Sequence, residues 1–368
     1  MSEPTPNCFV VAEAGVNHNG SRETALALVA AAAKAGADAV KFQTFKAERL
    51  AAVNAPKADY QIRTTGAAGD QLAMLKALEL SDADHAAIIA SCAEHGIEFM
   101  STPFDIESAR YLIDTARVRR LKVASGEITD GPLLLELARS HKPIILSTGM
   151  ATLEEVKHAL GVIAFGYVTP PDAVPSLRAF REAFRSKAAK AALADKVTIL
   201  HCTSAYPAPA DSINLRAMTT LAREFHLPVG LSDHYEGTAI SIAAVGLGAS
   251  VIEKHFTLDK SAPGPDHKAS LTVAELEFMI AAIRTVTPAL GDGVKSPQVI
   301  ELRTRTVARK SLVALAPIAV GENFTVQNLG AKRPGGGVSP MMLWSYLGKP
   351  ATRAYGADEM IDPTVTTP

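Results

Sequence analysis

Short apolar runs recur along this chain, each ending in polar or charged residues and each followed by a stretch of helical period. Phe9-Val-Val-Ala-Glu13 reads as a first strand. Asn17-His18-Asn19-Gly20-Ser21 is a turn with a capping residue, and the alanine-rich segment 22–35 predicts a helix that stops at Gly36. Asp38-Ala-Val-Lys41-Phe-Gln43 is a second strand, whose period of two puts Lys41 and Gln43 on one side. Residues 46–70, with Pro56, Gly66 and Gly69, form a long polar connection expected to act as a lid. Helix 82–95, strand Ile97 to Thr102, helix 105–115 and strand Leu121 to Glu127 come next, then helix 131–140, strand Pro143 to Gly149 and helix 152–164. A proline-rich break at 166–176 and a basic helical stretch to 194 predict a solvated insertion. Three more strands begin at Val197, Val229 and Val251, separated by helices near 214–225 and 237–247, and helix 273–287 closes the series.

Continuous apolar runs alternating with helices are the mark of a parallel sheet buried on both faces. Eight of them in so regular an order predict an α/β fold, a (β/α)8 TIM barrel over residues 1–288. Residues 289–309 read as a linker. Residues 310–368 change texture, with strand-like Ser311-Leu-Val-Ala and Pro350-Ala-Thr-Arg between Gly/Pro turns, and predict a small β-rich domain.

Composition adds mainly exclusions. The 368 residues are 48% hydrophobic and 20% charged with a net charge of -1, which gives no electrostatic case for nucleic acid or a membrane surface. Cys8, Cys92 and Cys202 fit neither a disulfide framework nor a zinc pattern, and reduced thiols are expected. Met1-Ser-Glu-Pro-Thr-Pro lacks the regions of a signal peptide, and no apolar run is long enough to span a bilayer, so a cytoplasmic protein is expected.

In a barrel of this kind the strands' C-terminal ends carry the chemistry. His201, His234 and His255 end strands six to eight, where imidazoles from neighbouring strands can converge on a metal or merely cap the strands; spacing does not choose among the three. Lys41, Lys122 and Lys254 lie in apolar strands, where an unpaired cation is costly. They pair with Glu13 or Glu127, form a Schiff base, or serve an anion site with the hydroxyls of Thr102, Ser125, Ser147 and Ser232; the hydroxyls favour the anion site.

These residues resemble the bacterial sialic acid synthases, which condense phosphoenolpyruvate (PEP) with an N-acylated mannosamine-type sugar. The matching stretches are Val11-Ala-Glu-Ala-Gly-Val-Asn-His-Asn-Gly20, Val40-Lys-Phe-Gln-Thr44, Ser101-Thr-Pro-Phe104, Ser125-Gly-Glu127 and Leu146-Ser-Thr-Gly-Met150 in the first half. Leu200-His-Cys-Thr203, Leu231-Ser-Asp-His234, Glu253-Lys-His-Phe256 and Gly264-Pro-Asp266 follow. Ala308-Arg-Lys-Ser311 and Lys332-Arg-Pro-Gly335 resemble the antifreeze-like (SAF, β-clip) domain that the family attaches to its barrel.

The resemblance implies a divalent ion, Mn2+ or Mg2+, on His234 and His255, with His201 not a ligand. It implies PEP contacts at Lys41, Thr102, Lys122, Ser125, Ser147 and Ser232, and sugar contacts at Gln43, Glu127, Tyr206 and Asp266. Glu13 matches a carboxylate that handles protons, and Lys41, Lys122 and Glu127 share the catalytic role. Arg333 would reach from one subunit into its partner's barrel to the sugar's N-acyl group, making a domain-swapped homodimer. Ser204, Ala205 and the long insertion depart from the family pattern. Asp59-Tyr60-Gln61 and the 264–270 stretch resemble the branch holding legionaminic acid synthases and enterobacterial sialic acid synthases. The two use 2,4-diacetamido-2,4,6-trideoxymannose and N-acetylmannosamine. The alternative is another PEP-dependent or Schiff-base aldolase on the same barrel; a non-catalytic carbohydrate-binding protein would leave the strand-end residues unexplained.

Overall fold

The structure, a computed structural model, describes residues 8–66 and 69–363; the N-terminal stretch read for targeting lies outside them. The chain divides into two compact units, Met1–Asp292 and Gly293–Pro368. In the first, strands β1 (Phe9–Gly15), β2 (Ala39–Thr44), β3 (Glu98–Pro103), β4 (Leu121–Val123), β5 (Ile144–Ser147), β6 (Val197–Cys202), β7 (Val229–Asp233) and β8 (Val251–Thr257) follow one another in sequence. They hydrogen-bond in the order β3-β2-β1-β8-β7-β6-β5-β4, every pair parallel. No ladder joins β3 to β4 among the described residues, so the ring is a nearly closed (β/α)8 barrel. A two-residue strand, β9 (Leu271–Thr272), extends β8.

Alternation along the strands sorts the interior. Val11, Ala39, Met100, Ile145, Leu200 and Val251, from six different strands, pack together inside the ring. Their neighbours in sequence, such as Val10, Val40, Phe99, Ile144, Ile199 and Ile252, belong to the larger core between barrel and helices. Full burial of such a side chain contributes about 1.5–3 kcal/mol.

The helices begin where side chains can accept the first free N–H groups. α1 (Arg22–Lys34) is capped by Ser21. α2 (Ala47–Leu50) and α3 (Asp59–Thr65) lie within the 46–70 connection read as a lid, and α4 (Gln71–Lys76) follows it directly. Asp70 caps α4, and Leu50, Leu72, Met74 and Leu75 pack with Val16, Phe45 and Phe104 at the strand ends, which holds α2 and α4 against the barrel. α5 (Asp82–His95) has a capping box from Ser81 and Asp84 and ends at left-handed Gly96. α6 (Ile106–Arg110) continues as a π-turn, Tyr111–Thr115. β4 ends earlier than expected, because Ser125–Thr129 turns into a 3-10 helix at Gly126, which has no side chain to pack in a sheet.

α7 (Gly131–Arg139) leads to β5, and α8 (Leu153–Val168) runs past its expected end at 164. It does so because it packs on α7 and on the insertion helices α9 (Leu177–Arg185) and α10 (Lys187–Lys196). Ser186 ends α9 and caps α10, and Ala183, Ala189 and Leu193 are buried, so one face of the insertion belongs to the core. α11 (Arg216–Phe225), α12 (Ala239–Gly246) and α13 (Val273–Ala289) complete the outer ring. No helix among the described residues is long and apolar enough to cross a membrane.

The second unit starts within the expected linker and includes α14 (Glu301–Ala308). Antiparallel strands β10 (Ser311–Ala314) and β11 (Leu329–Lys332) pack with Ile318, Phe324, Tyr346, Tyr355 and Ile361 around a separate core. A short helix, α15 (Leu343–Tyr346), also belongs to this unit. Pro350-Ala-Thr-Arg is not a strand. Pro350 has no N–H to give a ladder, and only an isolated bridge to Asn323 forms there.

Candidate active site

Two residues beyond the apolar layer inside the barrel, the same alternation brings up a polar one. Val11 is followed on its face by Glu13, Ala39 by Lys41 and Gln43, Met100 by Thr102, and Val251 by Glu253 and His255. Lys122, Ser147, Cys202 and Ser232 complete the layer from β4 to β7. This is the floor of a cavity of about 460 Å3 at the C-terminal ends of the strands. A cavity of about 600 Å3 against α7, α8 and α9 is larger but has mostly apolar walls and no such convergence of reactive groups. Chemistry rather than volume identifies the site.

The floor is an alternating lattice of charge. Lys41 Nζ lies 2.7 Å from Glu13 Oε2 and 3.7 Å from Glu253 Oε2, and donates to Thr102 Oγ1 at 3.0 Å. Lys122 Nζ lies 3.5 Å from Glu253 Oε1 and donates to Ser147 Oγ at 2.7 Å. Ser232 Oγ donates to Glu253 Oε1 at 3.0 Å. All four charged groups are almost fully buried. Burial pushes the Glu13 carboxyl up to about 7, against the pull of Lys41. Burial works against the Lys41 ammonium too, but Glu13 and Glu253 overcome it and hold it above its usual value. Lys122 is pushed down by burial, with Glu253 opposing. Two ammonium groups ringed by hydroxyls suit an anion with several oxygens, and a carboxyl near 7 can take up or release a proton.

The other groups stand around this floor. Ser125 Oγ accepts from the Gly149 N–H at 2.9 Å, where a Cβ on residue 149 would lie 2.7 Å from that oxygen and 2.2 Å from Ser204 Oγ. Burial raises Glu127 to about 7 and Asp266 to about 6. Glu127 Oε2, Glu253 Oε2 and His255 Nδ1 are buried and have no hydrogen-bond partner among the described residues. Unsatisfied acceptors facing a cavity are costly unless a ligand completes them.

His234 and His255 face each other with ring centroids 5.4 Å apart, and Tyr206 lies against His234 at 4.0 Å. His234 Nδ1 donates to the Thr203 carbonyl at 2.8 Å, which leaves Nε2 as the acceptor. Burial holds His255 well below its usual pKa, so that imidazole is neutral, and its Nδ1 lies 3.9 Å from Asp266 Oδ2. Burial works against a charge on His234 as well, but Cys202 and the Thr203 carbonyl outweigh it and hold that imidazole above its usual value. Two facing imidazoles, one neutral and the other oriented by a backbone carbonyl, offer a divalent ion two nitrogens once His234 gives up its proton. Among the described residues no group of three His, Cys, Asp or Glu side chains forms a cage. Any further ligands would come from water or substrate.

Every barrel residue that the sequence assigned to PEP, sugar, proton transfer or metal lines this one cavity. His201 does not. Its neighbour Ile199 faces the outer core, alternation turns His201 the same way, and its Nε2 donates to the Ile213 carbonyl at 2.5 Å. Lys254 also departs from the lysine set: it faces outward, fully buried, with Nζ 3.0 Å from Asp233 Oδ2. Lys41 is the partner of Glu13, one of the roles weighed for it, and it also lines the cavity. Glu253 and Cys202 were missed, although the period of two through His255 and Leu200 marks both as inward. Arg333 belongs to the second unit, where it is exposed and its Nε donates to the Ala308 carbonyl at 2.9 Å.

Comparison with known proteins bears on the family and the fold. Residues 28–295 match the NeuB family. The N,N'-diacetyllegionaminic acid synthase of Campylobacter jejuni is 45% identical over 353 residues, covering 96% of this chain and 98% of that protein. The protein of the same name from Legionella pneumophila is 44% identical over 341 residues, covering 93% and 89%. A crystal structure of N-acetylneuraminic acid synthetase from Leptospira borgpetersenii, in complex with citrate, superposes with a TM-score of 0.65 at 29% identity over 82% of this chain and 90% of that one. With a matching family over most of its length and relatives of this similarity from end to end, the chain belongs to the NeuB family.

Proposed function

We propose that this chain is a nonulosonic acid synthase that joins PEP to an N-acylated mannosamine-type sugar and releases phosphate. The carrying observation is the single buried layer in which Lys41, Lys122, Glu13 and Glu253 meet beneath the His234–His255 pair. C3 of PEP bonds to the aldehyde carbon of the open-chain sugar, water adds at C2, and phosphate leaves by C–O cleavage. Lys41 and Lys122, with Thr102, Ser125, Ser147 and Ser232, hold the phosphate and carboxylate of PEP. Gln43, Glu127, Tyr206 and Asp266 hold the sugar. Glu13 exchanges the proton that the incoming water must lose.

His234 and His255 would hold a divalent ion, Mn2+ or Mg2+, which when bound supplies Lewis-acid polarisation of the aldehyde. The second unit is read as an antifreeze-like domain that contributes Arg333 to the partner's site in a homodimer, and the enzyme as cytoplasmic. N,N'-diacetylated legionaminic acid in the names of two relatives favours a 2,4-diacetamido-2,4,6-trideoxymannose as the sugar, over N-acetylmannosamine.

The test is phosphate release from PEP with a panel of acylated mannosamines. Release that depends on one of these sugars, at one phosphate per sugar acid formed, is the expected result. No release with any sugar, together with a lysine adduct trapped by borohydride, would replace this reading by a Schiff-base aldolase.

A further inference from the structure

Lys254 stands between Glu253 and His255 in β8 but faces away from the cavity, into the seam between β8 and the start of the β7–α12 connection. Its Nζ donates to Asp233 Oδ2 at 3.0 Å and to the carbonyl of Tyr235. Asp233 uses its remaining capacity locally: Oδ1 accepts from the Tyr235 N–H at 2.9 Å and Oδ2 from Ser241 Oγ at 2.6 Å. Both groups of the Tyr235 main chain that can bond are therefore tied to this pair. His234, between Asp233 and Tyr235, has its own carbonyl held by the Ala208 N–H at 2.9 Å and its Nδ1 by Thr203.

We propose that Lys254 is a positioning residue: with Asp233 it clamps the backbone on both sides of His234 and so sets the aim of the His234–His255 pair. Two features favour this over a pair that merely stabilises the fold. A well-packed apolar pair would serve stability as well or better, since two buried charges lose their hydration. And the clamp ties the strand bearing one imidazole to the loop that begins at the other. The inference rests on the reading that these imidazoles hold a divalent ion, and the test separates the two.

The full chain is compared with Lys254→Met and with the double variant Lys254→Met/Asp233→Asn, which leaves no unpaired charge. Three quantities are read: binding of Mn2+ without PEP or sugar, from the electron paramagnetic resonance signal of free Mn2+; the His234 Nδ1–H resonance, assigned with His234→Gln; and the melting temperature. Both variants should bind Mn2+ about 10–100-fold more weakly and lose the slowly exchanging Nδ1–H resonance. The double variant should recover melting temperature over the single one without recovering Mn2+ affinity. A double variant with wild-type affinity and an unchanged resonance overturns the clamp. If the wild-type chain takes up no Mn2+, the metal reading falls and the resonance alone decides: lost in the double variant it upholds the clamp, retained it overturns it.

Discussion

Among the described residues of this barrel three lysines are buried, and the cavity floor treats two of them differently from the way the outer seam treats the third. At the floor, Lys41 pairs with Glu13 but shares Glu253 with Lys122, and Glu253 Oε2 is left without a hydrogen bond. In the seam, Lys254 and Asp233 saturate each other with Ser241 and the Tyr235 main chain. A buried network that closes on itself holds a shape. One left open toward a cavity is a binding site for a ligand that completes it. The comparison separates lysines that sequence alone presents as one set.

It can be broken at several points. The largest effect expected is from chelation: EDTA should abolish phosphate release and added Mn2+ restore it, and unchanged activity would remove the ion from the floor. Next, Lys122→Met should lower kcat/KM by at least about a hundredfold, the scale on which removal of one oriented donor acts. Lys254→Met should instead be partly rescued by raising Mn2+; equal rescue of both variants would erase the distinction between floor and seam. Arg333→Ala should raise KM for the sugar about tenfold or more while leaving that for PEP nearly unchanged, as loss of a charged hydrogen bond to the sugar alone would. Equal effects on both substrates would count against the contact from the partner subunit.

The smallest effect concerns pH. Glu127 at about 7 holds a proton in the folded chain that an unfolded chain releases near 4.5. Its contribution is therefore complete below about 4.5 and is lost as pH rises through about 7. Glu127→Gln should flatten the pH dependence of stability across that window, followed through the melting temperature, by at most about 3 kcal/mol. A wild-type curve that rises over the same window would contradict the buried, protonated state.

Sequence alone determined the strand sequence and the side each strand residue faces, because periods of two and 3.6 follow from backbone geometry. Val11 to Glu13, Ala39 to Lys41 and Val251 to His255 could be read that way, and so could most of the candidate site. It could not show that the 46–70 connection carries helices, since apolar residues such as Ala47, Leu50 and Ala51 find their partners in Val16, Phe104 and Leu75, far off in sequence. The same period already turns His201 and Lys254 outward, but it could not name the partners that meet them or those of His234, Lys41 and Lys122. Each ends or interrupts an apolar run, and the difference lies in which neighbouring strand or loop meets it. Closure of the ring made that decision, by bringing β8 beside β1 and placing Glu253 between Lys41 and Lys122. Distances between residues far apart in the chain, and the low dielectric they enclose, exist only after folding.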